Sequence, residues 1–284
     1  MISTDLLDYF KMEYTPFTNN IDTGFLYQTD IFRGACLKLK MAIENNSFAL
    51  LTGVPGTGKS TLLRYFTSQL NEEKHTVMYV SLSNATPRWM YIAPLNQMGV
   101  KSKYYVNDAR LQLHREIETL RKTHGKKVIL IFDEAHLLAN KYSKFSLLEE
   151  IRFLLNGNSY DSGSPLTLIL SGQKEILSVL KTDKCKAITQ RIMYFSSTQN
   201  LTNEQVGSYI GSHLKWSRCQ DNPFEYRAVE KIGDLSGGNP RLINKICMHA
   251  LSYTCLKREE KVTEATVTEV ANNEVIDLIL KNLN

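Results

Sequence analysis

The stretch "LLTGVPGTGKSTLL", residues 50–63, decides how the rest of the chain reads. An apolar run enters a glycine-rich bend, and a helix-patterned segment, 61–70, leaves it. Gly53-Val54-Pro55-Gly56-Thr57-Gly58-Lys59-Ser60 fits the pattern GxxxxGK[ST]. Glycines at this spacing let backbone N–H groups turn inward around phosphate oxygens, and the positive end of the following helix adds to their pull. Lys59 is placed to reach the β- and γ-phosphates, and the Ser60 hydroxyl to help hold Mg²⁺. The motif implies ATP and Mg²⁺ as cofactors, with residues 53–61, Thr61 included, around the nucleotide.

Working outward, short apolar runs alternate with helical patterns. Residues 47–53, 76–83, 127–134, 166–172 and 192–197 read as strands whose hydrophobicity is continuous, as in a parallel sheet buried on both faces. The fold class expected is α/β, a parallel-sheet P-loop core covered on both sides. After about residue 200 the strand signals stop, and four helical segments follow, the last over 263–279. The expected organisation is an N-terminal segment 1–46 packed on the core, an ATPase domain 47–199 and an all-helical lid 200–284.

The third strand ends in "VILIFDEAH". Asp133 at its C-terminal end, beside the phosphate loop, is placed to orient the metal's water shell, and Glu134 to polarise an attacking water. A glutamate here favours hydrolysis over mere binding. The fourth strand ends in "LSGQ", where Ser171 or Gln173 offers a polar contact to the γ-phosphate or the water. Arg191 stands just before the fifth strand, a position from which a cation reaches a neighbouring subunit's nucleotide as an arginine finger. "SGGNPRLIN" starts a helix with Arg241 in its first turn; a cation there opposes the helix dipole, so an anionic partner such as ATP phosphate is expected.

Composition narrows the classes further. With 43% hydrophobic and 22% charged residues the chain supports a packed core. Five cysteines without a CxxC pair and six histidines without ligand spacing speak against a disulfide framework or a zinc site. No apolar run reaches the roughly 20 residues of a membrane span, and the first residues lack the order of a secretory leader, so a cytoplasmic protein without a membrane partner is expected.

Net charge is +5, and the same surplus lies within residues 101–127 alone: eight basic residues against three acidic ones. On a helix over 106–123, Arg110, His114 and Arg121 fall within about 40° of one another, and the apolar set Val106, Leu113, Ile117 and Leu120 faces elsewhere. From Arg115 to Lys127 an ordinary solvated face is the simpler reading. The preceding loop "GVKSKYY" puts Lys101 and Lys103 beside Tyr104 and Tyr105, which suits contact with phosphate plus packing on sugar or base. "PRWMY" offers Arg88 and Trp89 as an alternative loop. Nothing resembles a base-reading module, so sequence-independent contact with the backbone of double-stranded DNA is expected.

Taken together, the two nucleotide motifs, the polar residue after strand four, the finger-position arginine and the "GNPR" of the lid resemble an AAA+ ATPase over nearly the whole chain. The opening "YFKMEYTPFTNNIDTGFLYQTDIFRGACLKLKMAIENNSFALLTG" is similar to the start of ExeA-type ATPases and of the transposon ATPases grouped with TniB, TnsC and IstB. That resemblance implies that Pro16 and Phe17 line the adenine pocket. It also implies that loops like 101–105 touch the duplex backbone. The bare ATPase length is nearest to the TniB/TnsC type. The resemblance therefore implies a regulator of transposition that forms a ring or helical filament on DNA with ATP and recruits a transposase, with a targeting protein as a further partner. An ExeA-type secretion or envelope-assembly ATPase acting on a membrane protein is the alternative.

Overall fold

Three of the strands carry apolar or small residues at nearly every position, a pattern suited only to strands covered on both faces. The computed structural model describes residues 2–83, 86–139, 144–156 and 164–272. In chain order the elements are α1 (Ile2–Tyr9), a 3₁₀ turn (Thr23–Phe25), α2 (Asp30–Glu44), β1 (Phe48–Gly53), α3 (Lys59–Ser68), β2 (His75–Ser81), α4 (Trp89–Gln97), α5 (Val106–Lys122) and β3 (Lys127–Asp133). A second 3₁₀ turn (Ala135–Ala139), α6 (Lys144–Asn156), β4 (Thr167–Gly172), α7 (Ile176–Leu180), a third 3₁₀ turn (Asp183–Cys185), α8 (Lys186–Thr189) and β5 (Ile192–Thr198) follow. The chain then runs through α9 (Asn203–Trp216), α10 (Tyr226–Ser236), α11 (Pro240–Lys257) and α12 (Glu264–Ala271). The end of the last expected helix lies outside the described residues.

The chain divides into two compact units, one of residues 30–55 and 62–198, the other of residues 1–29, 56–61 and 199–284. The first is an all-parallel five-stranded sheet in the order β2-β3-β4-β1-β5. The α/β class read from the strand runs is what this sheet shows. Ala49, Leu51, Ile129, Ile131 and Ile169 form one face and pack with α2 and α3. Phe48, Leu50, Leu130, Phe132 and Leu168 form the other and pack with α4 to α8.

Burial is complete along β1 and β4 but not along the outer strands, where Tyr79, Met193 and Phe195 are exposed. Continuous hydrophobicity holds for the inner strands, while β2 and β5 end the sheet and lose cover on one side. Asp133, expected beside the phosphate loop, is separated from β1 by the whole of β4.

The other unit gathers α1 and residues up to Phe17 with the four C-terminal helices: Leu6, Met12 and Phe17 share a core with Val206, Ile210, Ile232, Ile246 and Val267. Residues 1–46, read from sequence as one segment, are thus shared between the units. A Cβ on Gly238 would lie 1.9 Å from the Leu201 carbonyl oxygen, and φ there is +71°, so the turn into α11 requires glycine. No helix among the described residues is long and apolar enough to cross a membrane.

His213 of α9 is buried in this core. Its Nδ1 accepts the Phe17 N–H at 3.2 Å, and its ring lies 5.1 Å from Phe17 and 4.8 Å from Tyr209. Burial pushes its pKa down to about 4, so between about pH 6.5 and 4 the unfolded chain binds a proton that the folded one refuses. Stability should fall by about 3 kcal/mol as pH drops through that window. Urea midpoints against pH should show this slope in the wild type and a smaller one in His213→Gln.

Candidate functional site

The phosphate-loop glycines take the backbone shape their motif calls for. Gly56 and Gly58 sit at φ +85° and +90°, a region closed to most side chains. In the helical unit the start of α11 comes directly onto this loop. A Cβ on Gly56 would lie 2.5 Å from Asn239 Oδ1 and 2.9 Å from the Arg241 Cβ, whereas Gly58 faces open space. Asn239 caps α11 by accepting the Arg241 N–H at 3.1 Å. Arg241 is exposed in the first turn, and among the described residues no ion pair is formed with its guanidinium. A cation at a helix start against a glycine bend, with no ion pair among the described residues, fits an anionic ligand.

The sheet unit presents the second group. Side chains alternate along a strand, so Asp133 projects from the same face as Ile131 and Ile129. Ser171 projects from that face too, following Ile169 and opposite Leu51 of β1. Asp133 is 3% exposed. Its Oδ2 accepts the Tyr79 hydroxyl at 2.5 Å and its Oδ1 the Glu134 N–H at 2.9 Å. Burial and the adjoining carboxylates push the Tyr79 phenol pKa up, keeping it a donor. Ser171 Oγ is fully buried without a hydrogen-bond partner among the described residues, a deficit of about 1–3 kcal/mol that a ligand or water would relieve.

Glu134 has φ +59°, a left-handed shape costing about 1–2 kcal/mol for a side-chain-bearing residue. Strain of this kind is tolerated where position matters more than stability. Its carboxylate lies 3.4 Å from His136 Nδ1, and His136 in turn touches Gln173, the second residue named for the end of β4. Within the helical unit a glycine bend meets a helix start that carries Arg241, and within the sheet unit a buried carboxylate and a buried serine hydroxyl end β3 and β4; each group, taken by itself, has the chemistry to hold nucleotide phosphate or its Mg²⁺. Sequence reading missed Tyr79 and His136. The signal for His136 was present in "DEAH", two residues past the strained glutamate; Tyr79 is found only once β2 is known to flank β3.

Arg191 is exposed at the start of β5, and among the described residues no ion pair holds it. Phe17 is packed inside the helical unit against His213 and Phe224, with φ +56°.

The two loops kept as alternatives for DNA form one surface. Arg88 Nε donates to the Tyr104 carbonyl at 2.7 Å, and its guanidinium lies 5.3 Å from the Tyr104 ring centroid. Tyr104, Tyr105 and Trp89 are 77%, 69% and 43% exposed, with Lys101 and Lys103 exposed beside them. Gln112 pins the loop, accepting from Lys103 N at 2.9 Å and donating to Lys101 O at 3.0 Å.

The basic face read on α5 does not exist as such. Arg110 turns inward to Glu150, at 2.8 and 2.7 Å, beneath Tyr91 and Phe153, and His114 is buried with its pKa lowered by that burial. Farther along, Lys127 donates to the Ile43 and Glu44 carbonyls at the end of α2.

A family model for the AAA domain matches residues 42–180, from the end of α2 to the end of α7. This is an AAA+ fold. The sequence is 28% identical over 269 residues to General secretion pathway protein A of Aeromonas hydrophila, covering 93% of this chain and 47% of that protein. The chain thus spans about half the length of that relative. The ORC2 protein of Aeropyrum pernix, solved in ADPNP-ADP complexes, is similar in structure with a TM-score of 0.72 at 14% identity, over 90% of this chain and 71% of that one. The Aeropyrum pernix ORC1 protein in complex with DNA gives 0.63 at 17% identity, over 94% and 67%.

Gly56 and Gly99 separate backbone shape from close approach. Both have positive φ, but a Cβ on Gly99 meets nothing within 4 Å. Gly56→Ala should weaken binding of a fluorescent ATP analogue at least about tenfold, whereas Gly99→Ala should leave it unchanged.

Proposed function

We infer that this protein is an ATPase that uses ATP and Mg²⁺ to assemble on double-stranded DNA, without regard to sequence, and there regulates transposition by recruiting a transposase. Residues 53–61 hold the triphosphate, Lys59 at the β- and γ-phosphates, with Phe17 shaping the base pocket from within the helical core. Mg²⁺, when bound, neutralises phosphate charge and is held through Ser60 and Asp133. Tyr79 keeps the Asp133 carboxylate in one orientation. Glu134 polarises the attacking water, Ser171 contacts the γ-phosphate or that water, and Arg241 contributes charge to the phosphates. Arg191, exposed and without an ion pair among the described residues, completes the site of a neighbouring copy, so that nucleotide joins protomers into a ring or filament.

The observation carrying the DNA reading is the Arg88–Tyr104 surface. Three large aromatic side chains are left in water beside three cations, an arrangement that suits a phosphate backbone and costs solubility otherwise. The likeness of fold to a protein solved in complex with DNA adds support. A second reading, a secretion ATPase acting on a membrane partner, draws on the 28% identity to the secretion pathway protein.

Lys59→Ala should lose ATP binding and ATP-dependent assembly together, measured by equilibrium binding and light scattering. Glu134→Gln should bind ATP normally, hydrolyse it at least about a hundredfold more slowly, and stay on DNA longer than wild type; faster release from DNA would contradict hydrolysis as the disassembly step.

Salt separates the two readings. Duplex retention with ATP should fall steeply from about 50 to 200 mM salt, and Arg88→Ala or Lys103→Ala should each reduce the logarithmic slope by about one. No duplex binding even near 50 mM salt would favour the secretion reading.

A further inference from the structure

β2 ends the sheet, so along its outer side backbone N–H and C=O groups point where no strand meets them. At Tyr79 a side chain stands in for the missing strand. Gln97 Oε1 accepts the Tyr79 N–H at 2.9 Å, and Gln97 Nε2 donates to the Tyr79 carbonyl at 2.7 Å. A carboxamide carries donor and acceptor on one plane, as a peptide group does, and among side chains only Asn and Gln offer it. Gln97 is the last residue of α4, which is buried from Met90 to Leu95, so the amide reaches the strand from a packed support.

What this contact fixes is a phenol. Tyr79 is 45% exposed, and packing alone leaves its ring room to swing. Its backbone is paired with Ile131, two residues before Asp133, and its hydroxyl crosses that interval to donate to Asp133 Oδ2. The other carboxylate oxygen accepts the Glu134 N–H. A donor on each oxygen holds the carboxylate against rotation, as long as the ring itself is steady. A ring on an open strand edge is only as steady as the backbone beneath it, and there Gln97 holds both polar groups.

We propose that Gln97 is a positioning residue for the metal carboxylate: its amide locks the Tyr79 backbone, and the phenol so aimed holds Asp133 ready for Mg²⁺. Gln97 acts through Tyr79 and touches no reacting atom. Outer partners of this kind typically contribute about ten- to a hundredfold to metal affinity. The proposal rests on the reading of Asp133 as a holder of Mg²⁺ given above.

The test is a double-mutant cycle in the intact chain, read as the Mg²⁺ concentration that half-saturates binding of a fluorescent ATP analogue. Tyr79→Phe, which deletes the hydroxyl and keeps the ring, should raise that concentration about tenfold. Gln97→Leu, similar in size and without the amide, should raise it at least about threefold, and hydrogen exchange at the Tyr79 amide should quicken in the same protein. The double variant should need no more Mg²⁺ than Tyr79→Phe alone, because the amide acts only through the phenol. Losses that add in the double variant would overturn the proposal. So would a Gln97→Leu protein with a lowered Tm and an unshifted Mg²⁺ requirement, which would leave Gln97 as a seal on the sheet edge. Wild-type binding indifferent to Mg²⁺ would instead contradict the metal reading itself, and the proposal with it, before any variant is compared.

Discussion

Everything at the candidate site hinges on how little volume stands at the tip of β4. Gly172 has no side chain, and the turn after β3 closes on it until a Cβ would be 2.8 Å from the nearest backbone nitrogen. That contact fixes where Glu134 emerges, accounts for a side-chain-bearing residue held at φ +59°, and sets His136 against Gln173. The parallel ladders supply the rigidity. β4 is paired on both sides, with β1 and β3, and buried along its whole length, so its end is held from both sides.

A second constraint operates on the phosphate loop. Its glycines turn the backbone into shapes that side chains resist, and one of them accepts the start of α11 at a distance that leaves no room for a methyl group. Arg241 arrives with Asn239, whose side-chain Oδ1 caps the same helix. The energetic logic is that of a site organised for charge still to come. A guanidinium at a helix N-terminus is unfavourable by itself, and a buried serine hydroxyl without a partner is unfavourable too. Each cost would be relieved by a ligand of the right chemistry at that group.

Much of this was legible in the sequence, because its signals are local. GxxxxGK[ST] prescribes its own backbone, and a strand buried on both faces needs an unbroken apolar run, so β1, β3 and β4 could be read directly. Strand order is not local. Nothing in residues 75–81 or 192–198 says that they end the sheet, and the exposure of Tyr79, Met193 and Phe195 follows from that position. The helical projection gave α5 its angles but not its neighbours. Arg110 looked like one cation on a basic stripe until Glu150, forty residues on, proved to lie against it. In the same way, the two loops that competed for DNA are sixteen positions apart yet meet where Arg88 donates to the Tyr104 carbonyl and lies over its ring.

The central claim is that a triphosphate, held by residues 53–61 and completed by Arg191 from the next copy, joins protomers along a duplex. Light scattering on the purified protein with Mg²⁺ and a slowly hydrolysed ATP analogue, across duplexes of increasing length, tests it most directly. The mass of the complex should grow with duplex length and collapse when the nucleotide is omitted. A particle that keeps the mass of one chain at saturating nucleotide and duplex would contradict the account.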